Sequence, residues 1–472
     1  MSAGRVVALD FGATSGRVVL GSVGPDELAM QTTGRFANRP VSVGGTLHWD
    51  VLSLWAGAVD GLRGVFRDAA DVASIGVDSW GVDYGLLRAG RLLGNPVHYR
   101  DDRTTEGMRL IGERLSREEL FARNGLQEIP INTIYQLAAE AQGPLLPVAD
   151  RILLIADLMS YWLSGVEVAD RTNASTTGLL DVRSGSWSAE LADAAGVPTA
   201  LLPRLVDPGT RLGALRADVA ADIGAPDGVQ VITVGSHDTA SAVVAVPMDR
   251  HHAAYISCGT WGLVGVEVDR PALGPEAQAA NFTNEGGVDG RIRLLKNVMG
   301  LWVLSESVRQ WEREGAQVDL PLLLQEAAAL EADVPVFDVD DVRFLGPGDI
   351  PGRIVAWCGE HGLAAPRTRA EFARSIVESL AQAFADAARG AGRLGGVDVR
   401  TIHIVGGGSL NELLCQRTAD RSGLPVLAGP VEATALGNLL VQARAVGLID
   451  GSLEDLRDLV ARTHAPRLHT PR

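Results

Sequence analysis

The chain has 472 residues, a formal charge of −16, and 46% hydrophobic and 21% charged residues. That balance fits a globular enzyme of more than one domain, and it excludes a general affinity for nucleic acid or an anionic membrane surface. Cys258, Cys358 and Cys415 are too few and too far apart for a disulfide framework or a CxxC zinc site, which suits a reducing cytoplasm.

No stretch has the length of a membrane span, and residues 1–7 hold no apolar run of the signal-peptide kind. Lys296 is the only lysine among 42 basic residues, and it stands in Leu-Lys-Asn. A P-loop needs Gly-Lys-Ser/Thr, so any nucleotide must be held in another way.

In chain order, residues 5–23 (RVVALDFGATSGRVVLGSV) place two β-rich runs around a turn with Asp10, Gly12, Thr14, Ser15 and Gly16. This is a hairpin pattern with more glycine and hydroxyl than a hairpin needs. Such a backbone can wrap a phosphate, and Asp10 at the strand end could hold a hydrated Mg²⁺. Residues 73–87 (ASIGVDSWGVDYGLL) read as strand, turn and strand. Trp80 offers a face on which a sugar could stack, and Asp78 and Asp83 offer acceptors for hydroxyls; the alternative is a buried Trp beside a solvated turn. The charge-dense stretch 99–104 (YRDDRT) reads as an ion-paired loop. Residues 132–137 (NTIYQL) and 170–178 (DRTNASTTG) read as helix starts or polar loops able to line a pocket.

Residues 229–243 (VQVITVGSHDTASAV), near the midpoint, give a buried strand that stops at Gly235. Ser236, His237, Asp238 and Thr239 follow before an Ala-rich helix. A carboxylate and an imidazole where strand meets helix stand at the open edge of an α/β sheet, where ligands bind. The alternative is that Ser236 or Asp238 caps the helix.

Residues 253–267 (AAYISCGTWGLVGVE) repeat the pattern of the first hairpin. Two such hairpins, one opening each half, imply an internal duplication. The expected fold is α/β, a two-domain actin-like ATPase (ribonuclease H-like, duplicated) with mixed sheets and a cleft to which each half offers its turn. Farther on, 284–287 (NEGG) reads as a turn, 294–304 (LLKNVMGLWVL) as an apolar helical segment, and 371–394 as a core-facing helix. Residues 402–419 read as strand, triple glycine and helix, an arrangement that makes room for a flat or anionic ligand. A small-residue helix within 429–442 is expected to pack close to those glycines. The tail after Gly451 reads as a helix that frays over 463–472.

Together DFGATSGR, DSWGVD, GSHDTASA, SCGTWGL, TNEGG, LKNVMGLW, HIVGGGSLN and GPVEATALGN resemble, in content and order, the FGGY carbohydrate kinases. The resemblance runs from residue 6 to about residue 442. It implies an N-terminal domain, 1–245, with the sugar site, and a C-terminal domain, 246–472, with the nucleotide site. It implies ATP and Mg²⁺, and a small-molecule sugar partner, with L-rhamnulose ahead of L-fuculose, L-xylulose or a polyol. By the same resemblance Asp238 is the catalytic base, and Gly81, His237, Thr239 and Asn297 contact the sugar. Ala13, Thr14, Ser15, Gly16, Arg17, Thr260 and Gly407 contact ATP, and Asp10 lies near the metal. Ser305 falls where the family's pattern leads one to expect a glutamine, and a water could replace the missing reach. An ATPase that does conformational work and a non-catalytic sugar sensor are the readings outside this family.

Overall fold

The first hairpin is the centre of a six-stranded sheet. In a computed structural model describing residues 3–331 and 333–472, strands Gly4–Phe11 and Ser15–Gly24 pair antiparallel, with Asp10 opposite Arg17. The sheet order is Arg211–Ala214, Gln230–Ile232, Val72–Ser79, Gly4–Phe11, Ser15–Gly24, Glu27–Ala37. Val72–Ser79 lies parallel to the first strand and sets Asp78 beside Asp10. Val6, Val7, Ala8 and Leu9 are all buried, as expected of a strand covered on both faces.

Helices pack on this sheet, among them Val51–Asp68 and Ala433–Val446. Val51–Asp68 starts at Asp50, whose carboxylate accepts from the Ser53 amide, and it buries Leu54, Ala58, Leu62 and Val65. That spacing is one face of a helix, and each buried leucine is worth about 1.5–3 kcal/mol. Ala433–Val446 lies against the strands Gly4–Phe11 and Val72–Ser79, and against the short helix Asp238–Val244. Its Gln442 donates to the Val7 carbonyl at 2.9 Å and accepts from Ser74 Oγ at 2.8 Å. Gly437 lets it sit on the short helix, because a Cβ there would overlap the Ser241 carbonyl. The helix thus packs on the first sheet, while the turn before it meets the triple glycine, the Gly406 amide donating to the Pro430 carbonyl at 3.1 Å.

Six strands of the second sheet repeat the first sheet's topology. Their order is Ile292–Met299, Trp261–Val268, Ala253–Cys258, Thr401–Val405, Val426–Ala428, Arg467–His469. An antiparallel hairpin is followed by two parallel strands and an antiparallel edge strand, as in the first sheet. The chain divides into two compact units. The first extends to Pro247 and takes in Val268–Arg293 and Ala433–Thr463, and the second is Met248–Glu267, Leu294–Glu432 and His464–Arg472. The long helix Arg369–Gly395 opens on a capping box of Thr368 and Glu371.

Three local expectations are corrected. Residues 294–299 belong to the strand Ile292–Met299, and the helix begins only at Trp302. Leu294 and Leu295 press onto Gly265 of the neighbouring strand, a packing that composition does not reveal. NEGG is mostly the strand Thr283–Gly286, its Asn284 tied to the Ala272 amide at 2.7 Å and the Gly125 carbonyl at 2.9 Å. Turn-forming residues became a strand because their side chains found distant partners. The tail does not fray throughout: Arg467–His469 is the edge strand, paired with Val426–Ala428. Among the described residues no helix is long and apolar enough to cross a membrane.

Candidate active site

In the first unit three strand ends meet. The Ser79 amide donates to the Ser236 carbonyl at 2.9 Å and the Trp80 amide to the Phe11 carbonyl at 3.1 Å. Ser79 also bridges to His237. Asp10, Gly81, His237 and Asp238 are thereby brought to one edge of the sheet. The helix Asp238–Val244 has His237 at its N-cap position with no side-chain cap bond, so neither Ser236 nor Asp238 serves as its cap. Asp238 keeps 31% of its side chain exposed. Thr239 is buried, and its hydroxyl donates to Asp238 Oδ1 at 3.1 Å.

Asp170 holds the loop before Asp238. It accepts from the amide and hydroxyl of Thr172 and from the amide and hydroxyl of Ser236, both of the latter at 3.2 Å. Burial raises its pKa to about 6 against these bonds, which lower it. The stretch 170–178 is therefore a brace for this edge, with Thr176 Oγ1 close to both Gly81 and the Val82 amide.

The turn after Trp80 is strained. Val82 has φ +68°, a conformation that a β-branched residue rarely adopts. Its carbonyl accepts from Thr133 Oγ1 at 2.6 Å and Gln136 Nε2 at 3.3 Å, and its amide donates to Thr176 Oγ1. Such over-determined strain belongs to sites that need fixed geometry. Trp80 itself is core: its ring packs on Trp49 with centroids 4.3 Å apart. Both indole N–H groups donate to Asp83, at 2.6 and 2.8 Å, and Gln136 adds a third donor. The expectation of a sugar-stacking Trp80 and a hydroxyl-accepting Asp83 is corrected, since two indoles and a buried carboxyl satisfy one another. Asp78 is likewise buried, with Asn438 donating to it.

Ala13, Thr14 and Ser15 form the tip of the first hairpin, braced by the Gly12 amide on the Ser15 carbonyl and the Asn38 amide on the Thr14 carbonyl. Gly16 faces the other way, where a Cβ would collide with the Phe36 ring. Arg17 lies 3.5 Å from Asp10. Burial raises the Asp10 pKa to about 6, Arg17 opposes this, and the charge of Asp238 adds to it. Asp10 is a carboxylate of the kind that holds a hydrated metal ion. Mg²⁺ suits such a place, since it keeps several waters and binds through one or two carboxylates.

In the second unit Thr260 stands at the turn between Ala253–Cys258 and Trp261–Val268. Its carbonyl accepts from the Trp302 amide at 3.2 Å, tying the turn to the start of the helix Trp302–Arg313. Gly300 makes that approach possible, because a Cβ there would strike the Trp261 backbone. Ser305 is exposed one turn into this helix, and Asn297 is half-buried on the strand Ile292–Met299. The triple glycine divides by role. A Cβ on Gly406 would come within 2.9 Å of the Cys258 carbonyl, and one on Gly408 would collide with the Cys258 side chain. Gly407 is exposed, and a Cβ there would meet no described atom within 4 Å. The helix Glu412–Ser422 is capped by Asn411, whose side chain accepts from the Leu414 amide, so its N-terminus is not the open anion site expected of strand–glycine–helix.

Comparison with known proteins agrees with this geometry. The profile described as the FGGY family of carbohydrate kinases, N-terminal domain, matches residues 5–245, and that of the C-terminal domain matches 254–446. The chain belongs to the FGGY family of carbohydrate kinases. It is thus a phosphotransferase that uses ATP and acts on a small-molecule sugar. Among its relatives, the rhamnulokinase of Bacteroides thetaiotaomicron is 38% identical over 98% of this chain and 95% of its own. That of Pectobacterium carotovorum subsp. carotovorum is 40% identical over 100% and 94%. Among solved structures, a ligand-bound xylulose kinase from Lactobacillus acidophilus aligns with a TM-score of 0.80 at 17% identity, covering 99% of this chain and 94% of that one. Plasmodium falciparum glycerol kinase with ADP aligns with a TM-score of 0.78 at 14% identity, covering 100% and 94%. At such identities the alignments speak for the fold, the two-domain α/β actin-like ATPase fold with mixed sheets.

Two site residues escaped the sequence reading. Glu285 and Arg293 are buried beside His237. Little in the sequence pointed to them: Glu285 lies in a stretch that reads as a turn, and Arg293 directly precedes one that reads as a helix.

Proposed function

We propose that this kinase transfers the γ-phosphoryl group of ATP to O1 of L-rhamnulose, giving L-rhamnulose 1-phosphate and ADP in the cytoplasm. Full-length relatives named rhamnulokinase at 38–40% identity support the substrate. Three buried free cysteines suit a reducing compartment. The observation that carries the chemistry is Asp238, a partly exposed carboxylate at a strand end, oriented by Thr239 and flanked by His237 and Gly81.

Asp238 accepts the O1 hydroxyl hydrogen bond and takes the proton as the new O1–P bond forms and the bond from phosphorus to the ADP oxygen breaks. His237, Thr239, Gly81 and Asn297 are assigned to the sugar side. Ala13, Thr14, Ser15, Gly16 and Arg17 are assigned to phosphate, and Thr260, Ser305 and Gly407 to the nucleotide. Positioning and charge neutralisation carry most of such a reaction. Mg²⁺ near Asp10 would supply part of the neutralising charge. Residues 1–245 then serve as the sugar domain and 246–472 as the nucleotide domain.

The test is ADP release from ATP and Mg²⁺ with L-rhamnulose, L-fuculose, L-xylulose, D-xylulose, L-ribulose and glycerol. Strong stimulation by L-rhamnulose alone is expected. Preference for another sugar moves the substrate, and ADP release indifferent to sugar overturns the reading.

A further inference from the structure

We infer that Arg293 and Glu285 hold His237 as the tautomer protonated on Nε2, making it a hydrogen-bond donor toward the sugar and leaving Asp238 as the sole base. The inference rests on the reading above that His237 faces the sugar, and it assigns Arg293 and Glu285 as positioning residues.

Three atoms form a closed triangle. Arg293 Nη2 lies 3.1 Å from His237 Nδ1 and 3.1 Å from Glu285 Oε2, which is itself 3.3 Å from Nδ1. A guanidinium has donors and no acceptor, so its bond to Nδ1 exists only while Nδ1 keeps its lone pair. The proton of the neutral ring must then sit on Nε2, which faces Asp238 Oδ1 at 3.5 Å. In the opposite tautomer, Nδ1–H would donate to Glu285 and point its hydrogen at the arginine donor as well. Arg293 is fully buried and its Nη1 has no hydrogen-bond partner among the described residues, so losing the Nδ1 acceptor would leave a further charged donor unmet.

The surrounding structure favours this arrangement. Arg293 and Glu285 balance each other's charge: burial raises the Glu285 pKa, and the Arg293 guanidinium holds it below the ordinary value. Arg293 Nε donates to the Gly286 carbonyl at 2.9 Å, fixing the guanidinium plane. Glu285 and Arg293 stand on Thr283–Gly286 and Ile292–Met299, joined by a tight turn in which the Gly287 amide donates to the Arg291 carbonyl at 2.7 Å. Asp289 in that turn is clasped by both terminal nitrogens of Arg444, at 2.6 and 2.8 Å. On the other side of the ring, Gly81 leaves space, since a Cβ there would lie 3.4 Å from His237 Cδ2. A donor beside the base recognises a sugar oxygen acting as acceptor, and it does not compete with Asp238 for the O1 proton.

The direct test is the side-chain ¹⁵N spectrum of the full-length protein labelled at histidine, with the His237 signals identified by their loss in His237→Asn. The expected pattern is a protonated Nε2 and an unprotonated Nδ1. A protonated Nδ1, or an average of both tautomers, overturns the inference without any variant at 293 or 285. Arg293→Met leaves the Glu285 carboxylate alone beside Nδ1, so it is expected to move the proton to Nδ1 and to raise KM for the sugar about tenfold, with KM for ATP within about twofold. Arg293→Lys, which restores a donor, is expected to recover part of the affinity. Glu285→Gln keeps an acceptor for Arg293 and is expected to raise KM about threefold. A folded Arg293→Met protein with the wild-type tautomer and sugar KM would remove both residues from this role. Wild-type protein with the Nε2–H pattern but no sugar-dependent ADP release would overturn the substrate reading and leave the tautomer assignment standing.

Discussion

The two sheets share a strand order yet differ in what stands at the corresponding ends. In the first, the parallel strands Gly4–Phe11 and Val72–Ser79 put Asp10 and Asp78 side by side, and Asp238 follows the next strand. In the second, the equivalent pair Ala253–Cys258 and Thr401–Val405 sets Ser257 opposite Val405, followed by glycines and Thr260. One copy of the topology has concentrated carboxylates, and the other has become a neutral glycine and hydroxyl surface. Phosphoryl transfer to an alcohol needs both: a base for the hydroxyl, and a surface that a nucleotide can approach without repulsion. The duplicated framework permits this division, because the strand ends are places the core does not fill.

The largest effect expected from this asymmetry is at Asp238. Asp238→Asn should lower kcat about 10²–10⁴-fold while leaving both KM values within a few-fold, measured by coupled ADP release. Normal turnover in that variant would remove the charged copy from the chemistry.

The triple glycine sharpens the neutral side. Gly407→Ala meets no described atom and should fold with an unchanged Tm while KM for ATP rises about tenfold. Gly408→Ala collides with Cys258 and should cost about 1–3 kcal/mol of stability in urea titration, with KM for ATP unchanged in the folded protein. Equal behaviour of the two variants would show that the glycines are packing alone.

A third test concerns Asp83, whose pKa burial raises to about 7 against the hydrogen bonds of Trp80, Trp49 and Gln136. A carboxyl raised on folding contributes stability that is complete below its ordinary value near 4 and is lost as pH rises through about 7. Asp83→Asn lacks that loss. The Tm difference, variant minus wild type, should therefore increase from pH 4.5 to 7.5, reaching on the order of 3 kcal/mol in stability terms. A flat difference would mean that Asp83 is ionised throughout.

The smallest effect is expected at the single lysine. Lys296 lies 3.6 Å from Asp340, with both side chains about 30% exposed. Lys296→Arg should change stability by less than about 1 kcal/mol in thermal melts. A large loss would mark the pair as more than a surface contact.

Local pattern in the chain was enough for the two hairpins, the strand before Gly235, the long helix and the family. These depend on local alternation, turn residues and motif order, which act over a few residues. It also brought Asp238 and His237 forward, because a carboxylate beside an imidazole at a strand end is visible in a short window. That Trp80 and Asp83 face each other in the core, that NEGG is a strand, and that Gly16, Gly406 and Gly408 are required by packing came from long-range contacts. The same kind of contact brings Arg293 to His237 across 56 positions of sequence. The reason is physical. A buried charge or a missing Cβ is set by the atoms it meets, and those atoms come from segments that no local pattern connects.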